Sequence, residues 1–474
     1  MNKQMLWRVF GAVLNVALVT NPLPGQTLTT LATFTGQNGA YPGYGPLVQG
    51  TDGLLYGVAQ AGGANGAGVI YRIMTGGTMT IVYSFCSKPN CADGQSPWGG
   101  LTQAADDNLY GTTAAGGASG QGTIFKLTLT GTLTTMHSFD GTDGSSPYGG
   151  LIQAADGNLY GTASAGGSNN YGTIFRIAPS GTFTVLHDFA GTDGANPWAG
   201  LIQTNFGSFY GTTFGGGANG AGTVFRMSPD GFLETLHSFN GSDGANPADA
   251  LVQANDGIFY GTTVDGGPGG HPCPCFGTVF QVAPNGTFTH LVGFYAGGGT
   301  GTWPYASLIQ ATDGSLYGTT WGYPGYPPLA TFGGTVYALS PGSRVTTVYS
   351  FGNDYGVGNP TAALVQATDG NFYGTTNPPF TFVNDGTVFR LSVGLGPFVK
   401  TLPASGTVGK IIRILGTDLT GATEVAFNGV RAEFTAARPT EILATVPDGA
   451  VTGRVQVTTP RGVLSTGADF FVRY

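Results

Sequence analysis

Charged side chains are scarce in this sequence: only 9% of the 474 residues are Asp, Glu, Lys or Arg. Glutamate occurs four times, and only Glu234 lies before residue 395. Glycoside hydrolysis generally requires two carboxyl groups that face each other across the substrate. Nucleophile-elbow, phosphate-loop and HExxH motifs are also absent from the sequence. We therefore predict no catalytic residue.

Long apolar runs are absent after residue 25, so no membrane span is expected in the mature chain. The first residues have the layout of a secretory signal. The positively charged Lys3 and Arg8 precede an apolar stretch, Val9–Val19, that is too short to cross a bilayer. We assign residues 1–25 as a signal peptide, and we expect a secreted protein, extracellular or associated with the cell surface. An uncleaved anchor is the alternative.

Cysteine occurs only four times, which fits an exported protein with one or two disulfides. Cys86 and Cys91 enclose the short loop CSKPNC, which a disulfide could close. Cys273 and Cys275, in HPCPCFG, could form a second disulfide or remain free thiols. With His271 they could also hold a soft metal ion, but three ligands within five residues and no fourth nearby make a poor site. We predict no metal site.

Glycine, in contrast, is abundant: 84 residues, placed between short runs in which apolar and polar residues alternate. One unit recurs every 50 to 57 residues and is recognised by a Tyr-Gly pair. Its copies lie at Tyr56, Tyr110, Tyr160, Tyr210, Tyr260, Tyr317 and Tyr373. In the copy Leu151–Phe189, four strands (LIQA, NLYGTA, GTIFRIA and TFTVLHDF) are separated by an Asp-Gly turn, a glycine-rich loop and a PSG turn.

Four short antiparallel strands in about 50 residues are typical of a propeller blade. We therefore predict an all-β fold with a seven-bladed β-propeller over residues 26–394. The segment Leu28–Gly36, LTTLATFTG, matches the fourth-strand segment Leu133–Gly141, LTTMHSFDG, whereas the last copy lacks a fourth strand. We expect the N-terminal strand to complete the last blade, because this closes the ring and removes an exposed strand edge.

From residue 395 the repeat stops, and residues 395–474 form a second predicted domain. The motifs IIRILGTDL, TEVAFNGV and TEILATVPDGAVTGRVQVTTPRG resemble the IPT/TIG domain, which implies an immunoglobulin-like β-sandwich. Residues 26–394 hold seven Lys or Arg against nineteen Asp or Glu, and residues 395–474 hold eight against six. The acidic repeat region disfavours nucleic acid and anionic membranes as partners.

Long and variable loops all fall on one predicted face of the propeller, between the second and third strands and between blades. On this face an aromatic residue stands three positions before the first-strand leucine in five copies, and the long loop after the sixth Tyr-Gly pair begins with a tryptophan. Aromatic rings near Asp and Asn suit stacking on sugars. We predict a ligand site formed by Tyr44, Trp98, Tyr148, Trp198, Tyr305 and Trp321. The alternative is that the rings wedge between blades as core.

Four aspartates recur in the inter-blade loops of the same face: Asp93, Asp143, Asp193 and Asp243. They could hold Ca²⁺, which takes several oxygen ligands. Because they occur once per blade and are not clustered, we favour a role in the loop turns and predict no cofactor.

The unit LIQAxDGNLYGTTxxGGxxxxGTIFR resembles the GloVer-type tandem repeat of exported bacterial proteins over about residues 27–394. The resemblance implies secretion and often a C-terminal sorting or accessory module, but no established activity. We predict a monomeric, non-enzymatic binding protein whose loop-rich face recognises a glycan or a protein. The alternatives are an extracellular carbohydrate-active lyase or hydrolase, favoured by paired carboxylates at the channel mouth, and a structural component of the cell surface.

Overall fold

A computed structural model describes residues 26–268, 275–295, 300–322, 333–340, 344–351, 358–378 and 384–473. These residues form short β-strands, together with one 3₁₀ turn at Pro89–Cys91. Within these ranges no helix has the length and apolar character needed to cross a membrane.

Before residue 393, the described strands form seven antiparallel sheets, numbered here 1 to 7 by the position of their first strand. The first strands are Val48–Gln49, Thr102–Gln103, Ile152–Gln153, Ile202–Gln203, Val252–Gln253, Ile309–Gln310 and Val365–Gln366. The second strands are Leu55–Ala59, Leu109–Ala115, Leu159–Ala163, Phe209–Thr213, Phe259–Thr263, Leu316–Thr320 and Phe372–Thr376. The third strands are Val69–Ile73, Thr123–Leu127, Thr173–Ile177, Thr223–Met227, Cys275–Val282, Thr335–Ser340 and Thr387–Ser392. The fourth strands of sheets 1 to 6 are Met79–Ser84, Leu133–Ser138, Phe183–Asp188, Leu233–Ser238, Phe288–Tyr295 and Arg344–Ser350, and Gln95–Pro97 adds a strand to sheet 2.

The fourth strand of sheet 7 comes from the other end of the repeat region. Thr27–Thr33 pairs antiparallel with Thr387–Ser392, with Leu28 opposite Leu391. Phe34 follows this strand, is fully buried, and meets the ring of Tyr71 in sheet 1 edge-on at 5.2 Å between centroids. The N-terminal strand therefore belongs to sheet 7 and its next residue packs on sheet 1.

Neighbouring sheets are linked by a repeated hydrogen bond that uses the glutamine of the first strand. In sheet 4, the Oε1 atom of Gln203 accepts a bond of 2.9 Å from the backbone amide of Ala155 in the turn of sheet 3. The same bond, 3.0 Å long, joins the amide of Thr368 in sheet 7 to Gln49 of sheet 1. The sheets thus follow one another in a propeller-like arrangement in which the last contacts the first.

The repeated Asp-Gly and Tyr-Gly pairs stabilise each sheet through one carboxylate. Asp156 accepts hydrogen bonds from the backbone amide of Asn158 at 3.0 Å and from the hydroxyl of Tyr160 at 2.9 Å. Burial, together with this bond to Asp156, raises the pKa of Tyr160 to about 12, so its hydroxyl remains a donor at neutral pH. A Cβ atom on the next residue, Gly161, would lie 2.7 Å from Phe175 Cζ, so the close approach of this ring requires glycine.

Replacing Asp156 by alanine is expected to lower the free energy of unfolding by about 1–3 kcal/mol, because it leaves the half-buried Tyr160 hydroxyl without its acceptor. Urea denaturation measures the change. The matched control is Phe206→Ala, because Phe206 holds the position of Asp156 in sheet 4 and offers Tyr210 no acceptor, and loss of its 99% exposed side chain should cost less than about 0.5 kcal/mol. Equal effects of the two changes would refute this role of the repeated aspartate.

After residue 395, two antiparallel sheets and a parallel pair enclose one hydrophobic core that includes Ile414, Phe427 and Val457. The first sheet contains Val399–Leu402, Ile411–Gly416, Glu441–Thr445 and Phe434–Arg438. The second contains Val430–Arg431, Glu424–Phe427, Val455–Thr459 and Gly462–Ser465. The parallel pair is Ser405–Thr407 with Phe471–Arg473.

This C-terminal part rests on the turns between the first and second strands of several repeat sheets. The hydroxyl of Thr440 donates to the carbonyl of Thr51 at 3.0 Å, and the side-chain amide of Asn255 donates to the carbonyl of Gly467 at 3.3 Å. These turns lie at the opposite ends of the strands from the loops between sheets. These contacts of the C-terminal part are therefore on the face opposite to the loop-rich face and do not cover it.

Candidate functional site

The loop-rich face holds a cavity of about 500 Å³ at the point where the first strands begin. All six residues predicted as a ligand site line it: Tyr44, Trp98, Tyr148, Trp198, Tyr305 and Trp321. We call this cavity the aromatic bowl. The structure brings the six rings to one place, and their role in binding remains a prediction.

The backbone segments that follow neighbouring rings of the bowl are in close contact with each other. A Cβ atom on Gly149 would lie 2.7 Å from the carbonyl oxygen of Ala199 in the next sheet's segment, so only glycine permits this approach. The hydroxyl of Thr162 donates to the same carbonyl at 2.8 Å. The tight backbone packing fixes the base of each aromatic side chain and leaves the ring to line the cavity.

Four of the rings form a continuous arc. Tyr44 stacks on Trp98 with 4.0 Å between centroids, Trp98 lies 4.9 Å from Tyr148, and Tyr148 meets Trp198 at 6.2 Å. Trp198 also stacks on Phe214 at 3.9 Å, although 36% of its surface remains exposed. The rings are thus half-buried: each is held by a neighbour and still reaches the cavity. They act neither as fully buried wedges nor as free surface groups.

A second pair of rings lines the same cavity as this arc. Tyr305 and Trp321 meet at 5.9 Å with their planes at 83°. Burial raises the pKa of the Tyr305 and Tyr44 hydroxyls above the usual tyrosine value, so both remain neutral hydrogen-bonding groups at physiological pH.

Sheet 5 breaks the aromatic pattern with Ala248, and the next residue is Asp249. Both line the bowl. The carboxylate of Asp249 accepts backbone hydrogen bonds from Ala250 and Ser307, each 2.7 Å long. Desolvation nevertheless outweighs these bonds and raises the pKa of Asp249 to about 6. Among the described residues that line the bowl, Asp249 is the one with an ionisable carboxyl group, and none is Lys, Arg or His.

Sequence reasoning missed Asp249, although a signal was present. The residue after the aromatic position is glycine or alanine in every other repeat: Gly45, Gly99, Gly149, Ala199, Ala306 and Ala362. A carboxylate at that position is the strongest departure from the repeat. The raised pKa of Asp249 depends on desolvation by neighbouring segments, which cannot be inferred from the sequence alone.

The bowl's remaining wall carries polar side chains that bond to each other. The side-chain amide of Asn377 accepts a bond from the backbone of Gly43 at 2.9 Å and donates to the hydroxyl of Thr361 at 2.9 Å. Thr361 in turn donates to the carbonyl of Gly43. Thr361 occupies the aromatic position of sheet 7, so this wall offers amide and hydroxyl groups where five of the other sheets offer rings.

The loop aspartates considered as calcium ligands lie in separate loops, and each forms hydrogen bonds with residues of its own loop or of the adjoining fourth strand. Three accept from a histidine of the same sheet's fourth strand, in the pairs His137–Asp143 at 2.7 Å, His187–Asp193 at 2.8 Å and His237–Asp243 at 3.0 Å. Asp93 is fully buried and accepts from the hydroxyl of Tyr83 at 2.8 Å. In the described ranges, no group of three or more His, Cys, Asp and Glu could hold a metal ion.

Cys86 and Cys91 are joined by a disulfide in the loop between sheets 1 and 2. This loop also holds Asp93, whose carboxylate accepts from the backbone amide of Ser87 at 2.9 Å. Cys273 and the side chain of Cys275 lie outside the described residues, so the structure gives no account of them.

Two solved structures illustrate the fold similarity. The extracellular domain of a protein named as a one-component system from B. thetaiotaomicron matches 93% of this chain with 11% identity and a TM-score of 0.51, and the match spans about half, 52%, of that protein. A fungal alcohol oxidase of the AA5 family, determined with copper, matches 96% of this chain and 100% of its own, with 12% identity and a TM-score of 0.52. At such identities the similarity concerns the fold alone.

No curated protein sequence matches the chain. The family model of the Gloeobacter/Verrucomicrobia repeat matches residues 11–207 and 190–389, which together cover most of the chain. These residues contain the repeated sheets and all six rings of the aromatic bowl. The chain therefore belongs to the Gloeobacter/Verrucomicrobia repeat family.

Proposed function

We propose that this protein is an exported, non-enzymatic glycan-binding protein and that the aromatic bowl is its binding site. The observation that carries the proposal is the meeting of six aromatic residues from five repeats at one open cavity. A volume of about 500 Å³ lies within the range of small-molecule sites. Glycan binding is favoured over protein binding because the site is concave and its rings are held in place.

The chemistry of the wall supports a sugar. Half-buried rings such as Trp98 and Trp198 present flat apolar surfaces, which suit the C–H faces of sugar rings, and they lose little conformational freedom on binding because their neighbours already hold them. Thr361 and Asn377 add hydroxyl and amide groups for hydrogen bonds. Nucleic acid is disfavoured, because single-strand binding sites combine stacking rings with basic grooves and this wall has no described cation.

The enzymatic alternative has less support at this site. Glycosidases generally use two carboxyl groups on opposite sides of the scissile bond. Asp249 provides one carboxyl group among the described lining residues, and it faces rings, amides and backbone. We therefore rank binding above hydrolysis for this cavity.

We further propose that the repeats form a closed seven-bladed β-propeller and that residues 395–474 form an immunoglobulin-like domain of the IPT/TIG type. The pairing of Thr27–Thr33 with Thr387–Ser392 supports ring closure. Two antiparallel sheets around a common core support the sandwich. We propose a monomer, since the N-terminal strand pairs with the last repeat and a propeller leaves only short, protected strand edges.

We also propose export through a signal peptide in residues 1–25, which lie outside the described residues. N-terminal sequencing of the protein recovered from the culture medium or the cell surface tests this proposal. A mature chain that starts near Gln26 supports it, and an intracellular chain that keeps Met1 contradicts it.

Glycan-array binding of the full mature chain is expected to identify a ligand, and Trp98→Ala or Trp198→Ala should weaken its binding at least about tenfold, because central aromatic residues dominate binding energies. The control is Phe206→Ala. Phe206 is 99% exposed, but it lies in a turn at the opposite end of sheet 4. Binding to no glycan, or equal losses in all three variants, would overturn the proposal.

A further inference from the structure

We propose that the aromatic bowl selects glycans that carry a protonated amine, with the Asp249 carboxylate as the counter-charge. This inference rests on the proposed glycan-binding function and makes it more specific. It predicts amino sugars, such as glucosamine units, as preferred ligands over their neutral N-acetylated forms.

The position of Asp249 is the first support. Both carboxylate oxygens are held by backbone amides, those of Ala250 and Ser307, at 2.7 Å, so the group has a fixed orientation before a ligand binds. These bonds orient the carboxylate without neutralising it, because neither partner is charged. No Lys, Arg or His is found among the described residues that line the bowl. The cavity thus contains a desolvated negative charge for which the described lining residues supply no cation.

Comparison with the other repeats is the second support. At the position of Asp249 they carry glycine or alanine, as in Gly149 and Ala199, so the fold does not require a carboxylate there. A neutral sugar that fills the bowl would remove water from Asp249 and return no compensating charge, which costs free energy. A protonated amine would compensate the charge, and this difference gives the site its selectivity.

The rings are the third support. The face of an aromatic ring carries partial negative charge and attracts a cation placed within about 6 Å. The arc from Tyr44 to Trp198 and the pair Tyr305–Trp321 surround the same cavity as Asp249. Rings and carboxylate therefore favour the same ligand charge, while the rings still stack on the sugar to which the amine belongs.

The selectivity should depend on pH with a definite sign. Burial raises the pKa of Asp249 to about 6, so the carboxyl becomes ionised as the pH rises from 5 to 7. The other titratable groups near the bowl are the hydroxyls of Tyr41, Tyr44, Tyr148 and Tyr305, and Asp265, whose charge acts on Tyr305. Burial raises the pKa of Tyr44 and Tyr305 further above neutrality. Affinity for the amine should therefore increase between pH 5 and pH 7, by up to about tenfold per pH unit below the pKa of Asp249.

The test uses the full mature chain and two probes of equal length, fully deacetylated glucosamine oligomers and N-acetylglucosamine oligomers, in titration calorimetry at pH 5 and pH 7. At pH 7 we expect the glucosamine oligomer to bind at least about tenfold more tightly, and at pH 5 we expect that ratio to shrink. In Asp249→Ala, which introduces the residue of the neighbouring repeats, the ratio should fall close to one. Asp230→Ala is the matched control: it removes one exposed negative charge in a turn at the other end of sheet 4, and the ratio should persist.

The possible outcomes separate this inference from the proposed function. Equal binding of both oligomers, abolished by Trp98→Ala, would overturn the amine selectivity and leave glycan binding intact. Binding of no glycan, charged or neutral, would overturn both. A preference for glucosamine that survives Asp249→Ala, or that is lost equally in Asp230→Ala, would overturn the assignment of Asp249 as the counter-charge.

Discussion

Removal of residues 26–36 is expected to leave no monomer that unfolds cooperatively. The deletion takes away the fourth strand of sheet 7, which pairs with Thr387–Ser392 over its whole length, and it exposes the backbone of that strand as a new sheet edge. It also removes Phe34, which is fully buried between sheet 7 and sheet 1. Loss of a buried phenylalanine side chain alone costs about 3–5 kcal/mol, a large part of the 5–15 kcal/mol by which domains are usually stable.

Light scattering after size exclusion, together with thermal unfolding, measures this effect. The deletion variant should either form oligomers through its exposed edge or lose its cooperative transition. Phe34→Ala should lower the stability by about 3–5 kcal/mol while the chain remains monomeric. Thr30→Ala, an exposed position in the same strand, is the control and should change little. A deletion variant that is monomeric with an unchanged melting temperature would contradict ring closure.

The strands of the repeats could be predicted from the sequence because each depends on local patterns. In Leu151–Phe189, four predicted strands match the observed Ile152–Gln153, Leu159–Ala163, Thr173–Ile177 and Phe183–Asp188. Turn residues and alternating apolar residues mark their ends. The first strand differs from the prediction, because only Ile152–Gln153 of the predicted LIQA is observed as a strand. Its glutamine side chain bonds to the preceding sheet, a contact that the strand pattern did not predict.

The rings of the bowl could be predicted because they recur at one position of a repeat. Asp249 and Asp107 are harder to predict, because each departs from the repeat only once and its surroundings come from distant parts of the chain. Asp107 stands where the other repeats place the glycine of the Asp-Gly turn, and its φ of +67° lies in the left-handed region that disfavours aspartate. Its carboxylate binds Arg413, 306 positions later, which no local pattern indicates. At both positions the departure from the repeat places a carboxylate in a setting that the other repeats lack: the bond to Arg413 for Asp107, and the wall of the bowl for Asp249.

Replacement of Arg413 by methionine is expected to destabilise the protein by about 1–3 kcal/mol and to uncouple the C-terminal part from the repeats. Arg413 donates to both carboxylate oxygens of Asp107, at 2.9 Å for Nη2, and lies 3.5 Å from Glu441, whose side chain is only 5% exposed. The pair is only partly buried, because 24% of the Arg413 side chain and 37% of the Asp107 side chain are exposed, so its loss costs less than that of a fully buried ion pair. Asp107→Gly should cost less, because it relieves the left-handed backbone conformation while it removes the same contact.

Two probes can follow this uncoupling separately. All tryptophans of the mature chain (Trp98, Trp198, Trp303 and Trp321) belong to the repeat region, so their fluorescence reports on the repeats, whereas far-ultraviolet circular dichroism reports on every sheet. The two denaturation curves should coincide in the wild type and separate in Arg413→Met. The control is Arg431→Met: its ion pair with Glu424 is similar in kind, but Arg431 is 80% exposed, so the loss should be below about 1 kcal/mol.

The pH dependence of the docking adds a second test of the same contact. The Arg413 guanidinium lowers the pKa of Asp107 below its usual value. A carboxylate whose pKa is lowered by folding contributes stability above its unfolded pKa, about 3.9, and loses it as the pH falls through the lower folded value. The denaturation curves from the two probes should therefore coincide at pH 7 and at pH 5 and separate only in stronger acid. In Asp107→Gly, which lacks the carboxyl group, the separation between the two curves should not change as the pH falls through this range. Separation of the wild-type curves already at pH 5 would show that another group holds the C-terminal part to the repeats.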